Sequence, residues 1–303
     1  MSRAFARSCL GLIVVATVAG CKSDRRSGDG GATVAAADSS SRADSSSRAD
    51  SSTAGTPATV VVTAADYRFS APSTVPAGLV SIDLVNHGKE MHQAQIVKLE
   101  DGKTVADLEK ALSSQGPPPS WIKFVGGANG VAPGGEAHAT SVLTPGNYAF
   151  LCFIPSPDGK MHAAKGMVQP FTVAGGASAG ASEAPHGDVT MKLTDYNFTL
   201  SKPLTPGKHT ILVENAGPQP HEVVLLKLAP GKKAEDFGKW AETMKGPPPA
   251  QPLGGVTFLD KGAQGSFTAD LTAGDYGLIC FVPDAKDGKP HFVHGMMKTI
   301  KVG

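Results

Sequence analysis

The chain has 303 residues and a formal net charge of +1. That length suits about two domains, and the charge gives no electrostatic reason to expect nucleic acid or a strongly acidic partner. Glycine (36) and proline (23) exceed average use while charged residues make up only 18%, so the composition favours many turns and argues against a helical cytosolic enzyme.

In chain order, the first element reads as a targeting segment. Arg3 and Arg7 give it a positive start, and the apolar run Cys9 to Gly20 is too short to span a bilayer comfortably. It ends in Val18-Ala19-Gly20-Cys21, which resembles a bacterial lipobox. That resemblance implies cleavage before Cys21, lipidation of its thiol and an exported protein held at a membrane; ordinary signal cleavage, with Cys21 a bystander, is the plainer alternative. Residues 22–57 read as a disordered tether, because Ala-Asp-Ser-Ser-Ser-Arg recurs between Ala37 and Ser52 with no side chain able to build a core.

The remainder repeats at a period of 128 to 129 residues. Asp66-Tyr67-Arg68-Phe69 returns as Asp195-Tyr196-Asn197-Phe198, Gly116-Pro117-Pro118-Pro119 as Gly246-Pro247-Pro248-Pro249, and Leu143 to Tyr148 as Leu271 to Tyr276. A period this long means duplicated domains and not a solenoid. The expected division is a signal segment over 1–21, the tether, one domain over 58–174, a Gly/Ala/Ser-rich linker over 175–186 and a second domain over 187–303.

Within a copy the hydrophobic period is mostly two. Val80, Ile82 and Leu84 alternate with Ser81 and Asp83, and Val60 to Val62, Tyr148 to Phe153 and Val223 to Leu226 also suit strands bounded by Pro-Gly-type turns. Short strands at regular spacing predict an all-β fold of two tandem β-sandwiches. One helix interrupts each copy: Val105, Leu108 and Leu112 share a face behind a Thr104 cap, and Phe237, Trp240 and Met244 share another. Both stripes are expected to be core.

With Cys9 in the signal and Cys21 taken by lipid, one cysteine remains per copy, Cys152 and Cys280. Neither has a partner for a disulfide within its own copy, which leaves a bridge between copies, an inert buried thiol or a metal ligand. Around Cys152 stand His162 and Gly166-Met167; around Cys280 stand His291 and Gly295-Met296; upstream, His92 and His221 each open a strand directly after a loop. Two neutral imidazoles and one thiolate form a trigonal set that satisfies both Cu(I) and Cu(II), and a weak thioether above the plane tunes the potential. His87, His138, His186, His209 and His294 have no counterpart at the repeat period and are expected to face solvent.

On the quartets His92, Cys152, His162, Met167 and His221, Cys280, His291, Met296, on Asn215 to His221 and on Tyr148 to Cys152, the chain resembles the cupredoxins, the blue type 1 copper proteins of the plastocyanin and azurin kind. The resemblance implies two cupredoxin-like Greek-key sandwiches, one copper per domain, those eight residues as ligands, and electron exchange with redox partner proteins. Two features depart from it. The Cys-to-His spacing is ten residues in copy one and eleven in copy two, closer to the type 1 site of copper nitrite reductases, so the loop is expected to shield the second histidine. Where the family often has Asn or Ser after the first His, this chain has Gln93 and Glu222, and an ionised Glu222 could not donate a hydrogen bond. His162 and His291 are the expected edges for electron entry. Leu151 and Ile279 precede the cysteines and no His-x-His pair occurs, so no enzyme activity is expected. The alternatives to an electron carrier are a module for copper delivery, sensing or partner binding, and a metal-free fold.

Overall fold

A computed structural model describes residues 56–113, 118–175 and 184–303; the signal segment with Cys21, nearly all of the tether and residues 176–183 of the linker lie outside them. Copy one runs β1 (Ala58–Ala65), β2 (Arg68–Ser70), β3 (Thr74–Pro76), β4 (Gly78–Asn86), β5 (His92–Leu99), α1 (Val105–Leu112), β6 (Ile122–Val131), β7 (Glu136–Leu143), β8 (Gly146–Leu151) and β9 (Val168–Ala174). Copy two runs β10 (Val189–Thr194), β11 (Asn197–Leu200), β12 (Gly207–Asn215), β13 (His221–Leu228), α2 (Ala234–Thr243), β14 (Ala250–Leu259), β15 (Gln264–Leu271), β16 (Gly274–Ile279) and β17 (Met297–Val302). The fold is all-β: two tandem cupredoxin-like sandwiches, each with one short helix.

The alternation read in the sequence is the burial pattern of the strands. Along β4, Val80, Ile82 and Leu84 are buried while the residues between them are half-exposed, and they face Ile96 and Phe150 of the opposite layer in one core. Each such side chain contributes roughly 1.5–3 kcal/mol by leaving water. Each of the repeated turns is closed by an aromatic corner that sequence reasoning did not foresee. Tyr148 donates to the Thr144 carbonyl at 2.7 Å and accepts from its N–H at 3.2 Å, and Tyr276 holds Thr272 in the same way at 3.0 and 3.1 Å.

The helices differ in part from expectation. Thr104 and Asp107 form a reciprocal cap, and Leu108 is buried beneath α1, but Leu112 is 39% exposed. Phe237 is buried under α2, whereas Trp240 lies partly exposed with its indole N–H donating to the Gly246 carbonyl at 3.0 Å. Both stripes pack on the core, with Val105 and Ala111 partly buried around Leu108 and Trp240 partly buried beside Phe237; only Leu112, at the end of α1, stays at the surface.

The sheets do not stop at the end of a copy. One layer has the strand order β11-β10-β12-β15-β7-β4-β1-β2 and the other β17-β16-β13-β14-β6-β5-β8-β9-β3. The copies join at β7–β15, where Ala139 faces Phe267, and at β6–β14, where Ala128 faces Val256. A buried amide ties the second junction: Gln95 of β5 donates to the Phe258 carbonyl at 3.2 Å and accepts from the Phe258 N–H at 2.9 Å. Phe124 and Phe153 of copy one pack on Phe258, each at 5.5 Å between ring centroids.

Both strands that open with a buried histidine, β5 and β13, are bulged. Pairing with the neighbouring strand slips between His92 and Ala94 and again between Gln95 and Val97, and copy two repeats both slips. Gly127 and Gly255, at φ +125°, meet these bulges where a Cβ would stand 2.1 Å and 2.0 Å from the carbonyls of Ala94 and Val223; only glycine fits.

Candidate metal centres

Each copy brings three of its four expected ligands to one point. β5 supplies His92 at its first residue, Cys152 follows the last residue of β8, and His162 opens a single 3₁₀ turn (His162–Lys165). In copy two, β13 supplies His221, Cys280 follows β16, and His291 opens the turn His291–His294. The turn is held down by its own backbone: the His162 N–H donates to the Ile154 carbonyl and the Ala163 N–H to that of Cys152, with the same pattern at His291 and Phe292. Gly166 and Gly295 end the turns at φ +97°.

In copy one the Nδ1 atoms of His92 and His162 are 3.0 Å apart, and Cys152 Sγ lies 3.4 Å from His162 Nδ1 and 4.0 Å from His92 Nδ1. In copy two the two Nδ1 atoms are again 3.0 Å apart and Cys280 Sγ lies 3.4 Å from His291 Nδ1. All six residues are fully buried. With bonds of about 2.0 Å to nitrogen and 2.3 Å to sulfur, a trigonal ion would hold its donors roughly 3.5–3.7 Å apart, close to what both copies show. Met167 and Met296 are also fully buried and share a core with the two cysteines, and the Met296 carbonyl accepts the Cys280 N–H.

The outer nitrogens decide what the inner ones can do. His92 Nε2 lies 3.1 Å from Asp66 Oδ1, His162 Nε2 2.9 Å from Glu90 Oε2, and His221 Nε2 2.7 Å from Asp195 Oδ1. A carboxylate only accepts, so these imidazoles carry their proton on Nε2 and keep a lone pair on Nδ1. Two such lone pairs 3.0 Å apart in copy one repel each other unless a cation sits between them. Burial holds His92 and His221 below the usual histidine range and takes His291 down to about 4, the last helped by the neighbouring His221. Burial likewise pushes the Cys152 thiol up to about 12 and that of Cys280 well above its ordinary value, so a thiolate here requires a bound metal. The donor set and its geometry fit type 1 copper, one ion per copy.

The two sites reach this arrangement with their acidic groups exchanged. Copy one places Glu90 before the first histidine strand and Ser156 in the ligand loop; copy two has Gln219 and Asp284 there. The Glu90 carboxylate accepts from Tyr67 at 2.7 Å as well as from His162. Asp284 accepts from Tyr196 at 2.5 Å and from Gln219 at 3.0 Å, contacts that hold it well below the usual carboxylate range, in that order. It lies 3.7 Å from His291 Nε2, which makes no hydrogen bond. Tyr67 and Tyr196 sit at positive φ, 64° and 71°, and turn an edge to His162 and His291, a strained conformation kept where it orients a ligand.

Sequence reasoning missed these carboxylates and tyrosines, although Asp66-Tyr67 and Asp195-Tyr196 stood in the strongest repeat and marked the place. It also missed Gly88 and Gly217, where a Cβ would lie 2.5 Å from His92 Nε2 and His221 Nε2. The shielding expected from the long loop is present, and it overturns the expectation that His162 and His291 are edges for electrons, since both are fully buried. His209 is buried as well, 2.7 Å from Asp188, rather than facing solvent. His294 pairs with Asp287 at 3.2 Å, in the place where copy one pairs Lys165 with Asp158 at 3.0 Å. Both cysteines are free, which removes a bridge between the copies.

Glu222 is the other departure foreseen in the sequence. Its Oε1 accepts from the Phe281 N–H at 3.0 Å and its Oε2 from Asn129 Nδ2 at 2.9 Å. Burial pushes its carboxyl up to about 7 against these two contacts.

No family model and no curated protein matches the chain. Among solved structures it is similar to the auracyanin of Roseiflexus castenholzii, at 25% identity and a TM-score of 0.29, over 40% of this chain and 100% of that one. A copper-containing nitrite reductase from Thermus scotoductus matches over 81% of this chain and 61% of its own at 14% identity and a TM-score of 0.21. A blue copper oxidase from Nitrosomonas europaea matches over 76% and 75% at 14% identity and a TM-score of 0.22. The last two are enzymes and span most of the chain, which corrects the expectation that catalysis is excluded; that exclusion is withdrawn.

Proposed function

We propose that the chain is an exported, lipid-anchored protein that transfers electrons through two type 1 copper ions. His92, Cys152, His162 and Met167 would hold one ion and His221, Cys280, His291 and Met296 the other, with lipid on Cys21 holding the protein at a membrane within reach of redox partner proteins. The observation that carries this reading is the convergence of two imidazole nitrogens and a thiol sulfur, all buried, in both copies. Copper bound there supplies a one-electron couple. The chain's own residues do the rest. Carboxylates fix the tautomers of His92, His162 and His221, the loop excludes water, and a rigid strand-and-turn frame limits movement between oxidation states. Electrons would pass by the rim of Asp66 and Glu90 rather than by a bare imidazole, since these side chains are 30% and 26% exposed beside buried rings. Complete burial of the donors favours a retained ion over one handed on. Among the described residues no helix is long and apolar enough to cross a membrane.

Copper-loaded full-length protein should bind two ions and show an intense visible thiolate-to-copper band, with Cys152→Ala and Cys280→Ala each removing one ion's share. Protein that takes up no copper, or whose colour is indifferent to both substitutions, refutes the reading. Cys21→Ala should release the protein from membranes; unchanged membrane retention would refute the anchor.

A further inference from the structure

The second site is built partly by the first copy. Glu222 links the two strands that bring ligands together, because it follows His221 and its Oε1 accepts from the N–H of Phe281, the residue after Cys280. The other oxygen of that carboxyl is held by Asn129, which belongs to β6 of copy one. Asn129 is itself fixed: its amide nitrogen also donates to the carbonyls of Val223 and Val256 at 3.1 Å each, and its oxygen accepts from the Gly130 N–H at 2.7 Å. One buried amide from copy one thus touches the strand of His221, the strand beside it and the side chain bracing the cysteine. From this geometry we propose that Asn129 is a positioning residue for the metal site of copy two, acting through Glu222.

The reverse link is absent among the described residues. Asn129 is the eighth residue of β6, and the eighth of β14 is Thr257; Glu222 is the second residue of β13, and the second of β5 is Gln93. Thr257 Oγ1 and Gln93 Nε2 are both buried and make no hydrogen bond. A threonine hydroxyl is shorter than an asparagine amide, and the Gln93 amide nitrogen is left unpaired. Copy one therefore braces the site of copy two by a hydrogen-bonded chain that copy two does not return, its Phe258 meeting Phe153 beside Cys152 by ring packing alone, and the two centres of one duplicated fold are mechanically unequal.

The inference rests on the copper reading for its consequence but is tested without it. Asn129→Thr gives copy one the residue that copy two already tolerates at this place, and Asn129→Ser serves as a second variant of the same kind. In the metal-free full chain, amide exchange of Phe281 should speed up on the order of tenfold while that of Phe153 stays unchanged, since one buried hydrogen bond holds its acceptor in place. In copper-loaded chain carrying Cys152→Ser, so that only site two has its thiolate, the visible band and midpoint potential should shift with Asn129→Thr. The same substitution should leave site one unmoved in a Cys280→Ser chain. Unchanged Phe281 exchange, or equal acceleration at Phe153, overturns the proposal. Failure to bind copper would refute the functional reading while the exchange result still decides the role of Asn129.

Discussion

Replacing Gln95 with leucine tests whether the two copies fold as one. The side chain is fully buried and spans the β6–β14 junction through paired hydrogen bonds to the N–H and carbonyl of Phe258, while also donating to the carbonyls of Ile96 and Gly126. Leucine keeps the volume and loses every polar contact. The two bonds across the junction contribute about 1 kcal/mol each, and leaving Phe258's backbone groups unpaired adds roughly 1–3 kcal/mol. Gln95→Leu should therefore cost about 3–5 kcal/mol, at or above the upper end for a single substitution. Each copy holds one of the two tryptophans, Trp121 and Trp240, so guanidinium unfolding of metal-free protein can be followed in both halves at once. Both should report one coincident transition in the wild type, displaced together to lower denaturant in the variant. Separate transitions in the wild type, or a loss below about 0.5 kcal/mol, would refute the argument that shared sheets make the copies a single cooperative body.

Other consequences can be measured independently. Tyr148→Phe removes a hydroxyl that donates to one backbone group of Thr144 and accepts from another, so stability should fall by about 1–3 kcal/mol; thermal unfolding of the variant at wild-type temperature would count against the corner. Gly88→Ala places a Cβ 2.5 Å from both Asp66 Oδ1 and His92 Nε2. Metal analysis should then find site one lost and site two kept, whereas two ions in the variant would show that the His92–Asp66 contact does not govern binding. Glu222 titrates at about 7 in the fold against an ordinary 4.5, so the fold favours its neutral form. That stabilisation is complete below the ordinary value and is lost as pH rises through the folded one. Glutamine does not titrate, so Glu222→Gln should gain on wild-type, metal-free protein by up to about 3 kcal/mol between about pH 4 and pH 8; a difference independent of pH would refute the burial argument.

The parts legible in the sequence were those set by short-range periodicity or by chemically rare side chains. Strand β4 announced itself through Val80, Ile82 and Leu84, and the cysteines and histidines through their spacing in both copies. What stayed hidden depends on residues far apart in the chain. Strand β6 contains Gly126, Gly127 and Gly130, which lower its apparent strand character, yet it is half of the junction between copies. The exchange of Glu90 and Ser156 for Gln219 and Asp284 looks like two unrelated substitutions until the fold sets both positions beside the same imidazole. The burial of His162 and His291 followed from loop length, but its effect on electron access needed the carboxylates that cover the rings. Leu112 fits a helical stripe, and nothing local told that the last residue of the helix would lie clear of the sheet.

The continuous layers have a consequence for the history of the chain. Copy one cut free at its linker would expose β6 and β7 along their whole lengths, an edge in each layer that natural proteins seldom leave bare. A second molecule of the same half presents the same two edges and can close them by the two-fold pairing that copy two now provides. Residues 58–174 expressed alone should accordingly be recovered as a symmetric dimer, the arrangement from which a gene duplication would have made one chain, and in such a dimer both sites would necessarily be braced alike.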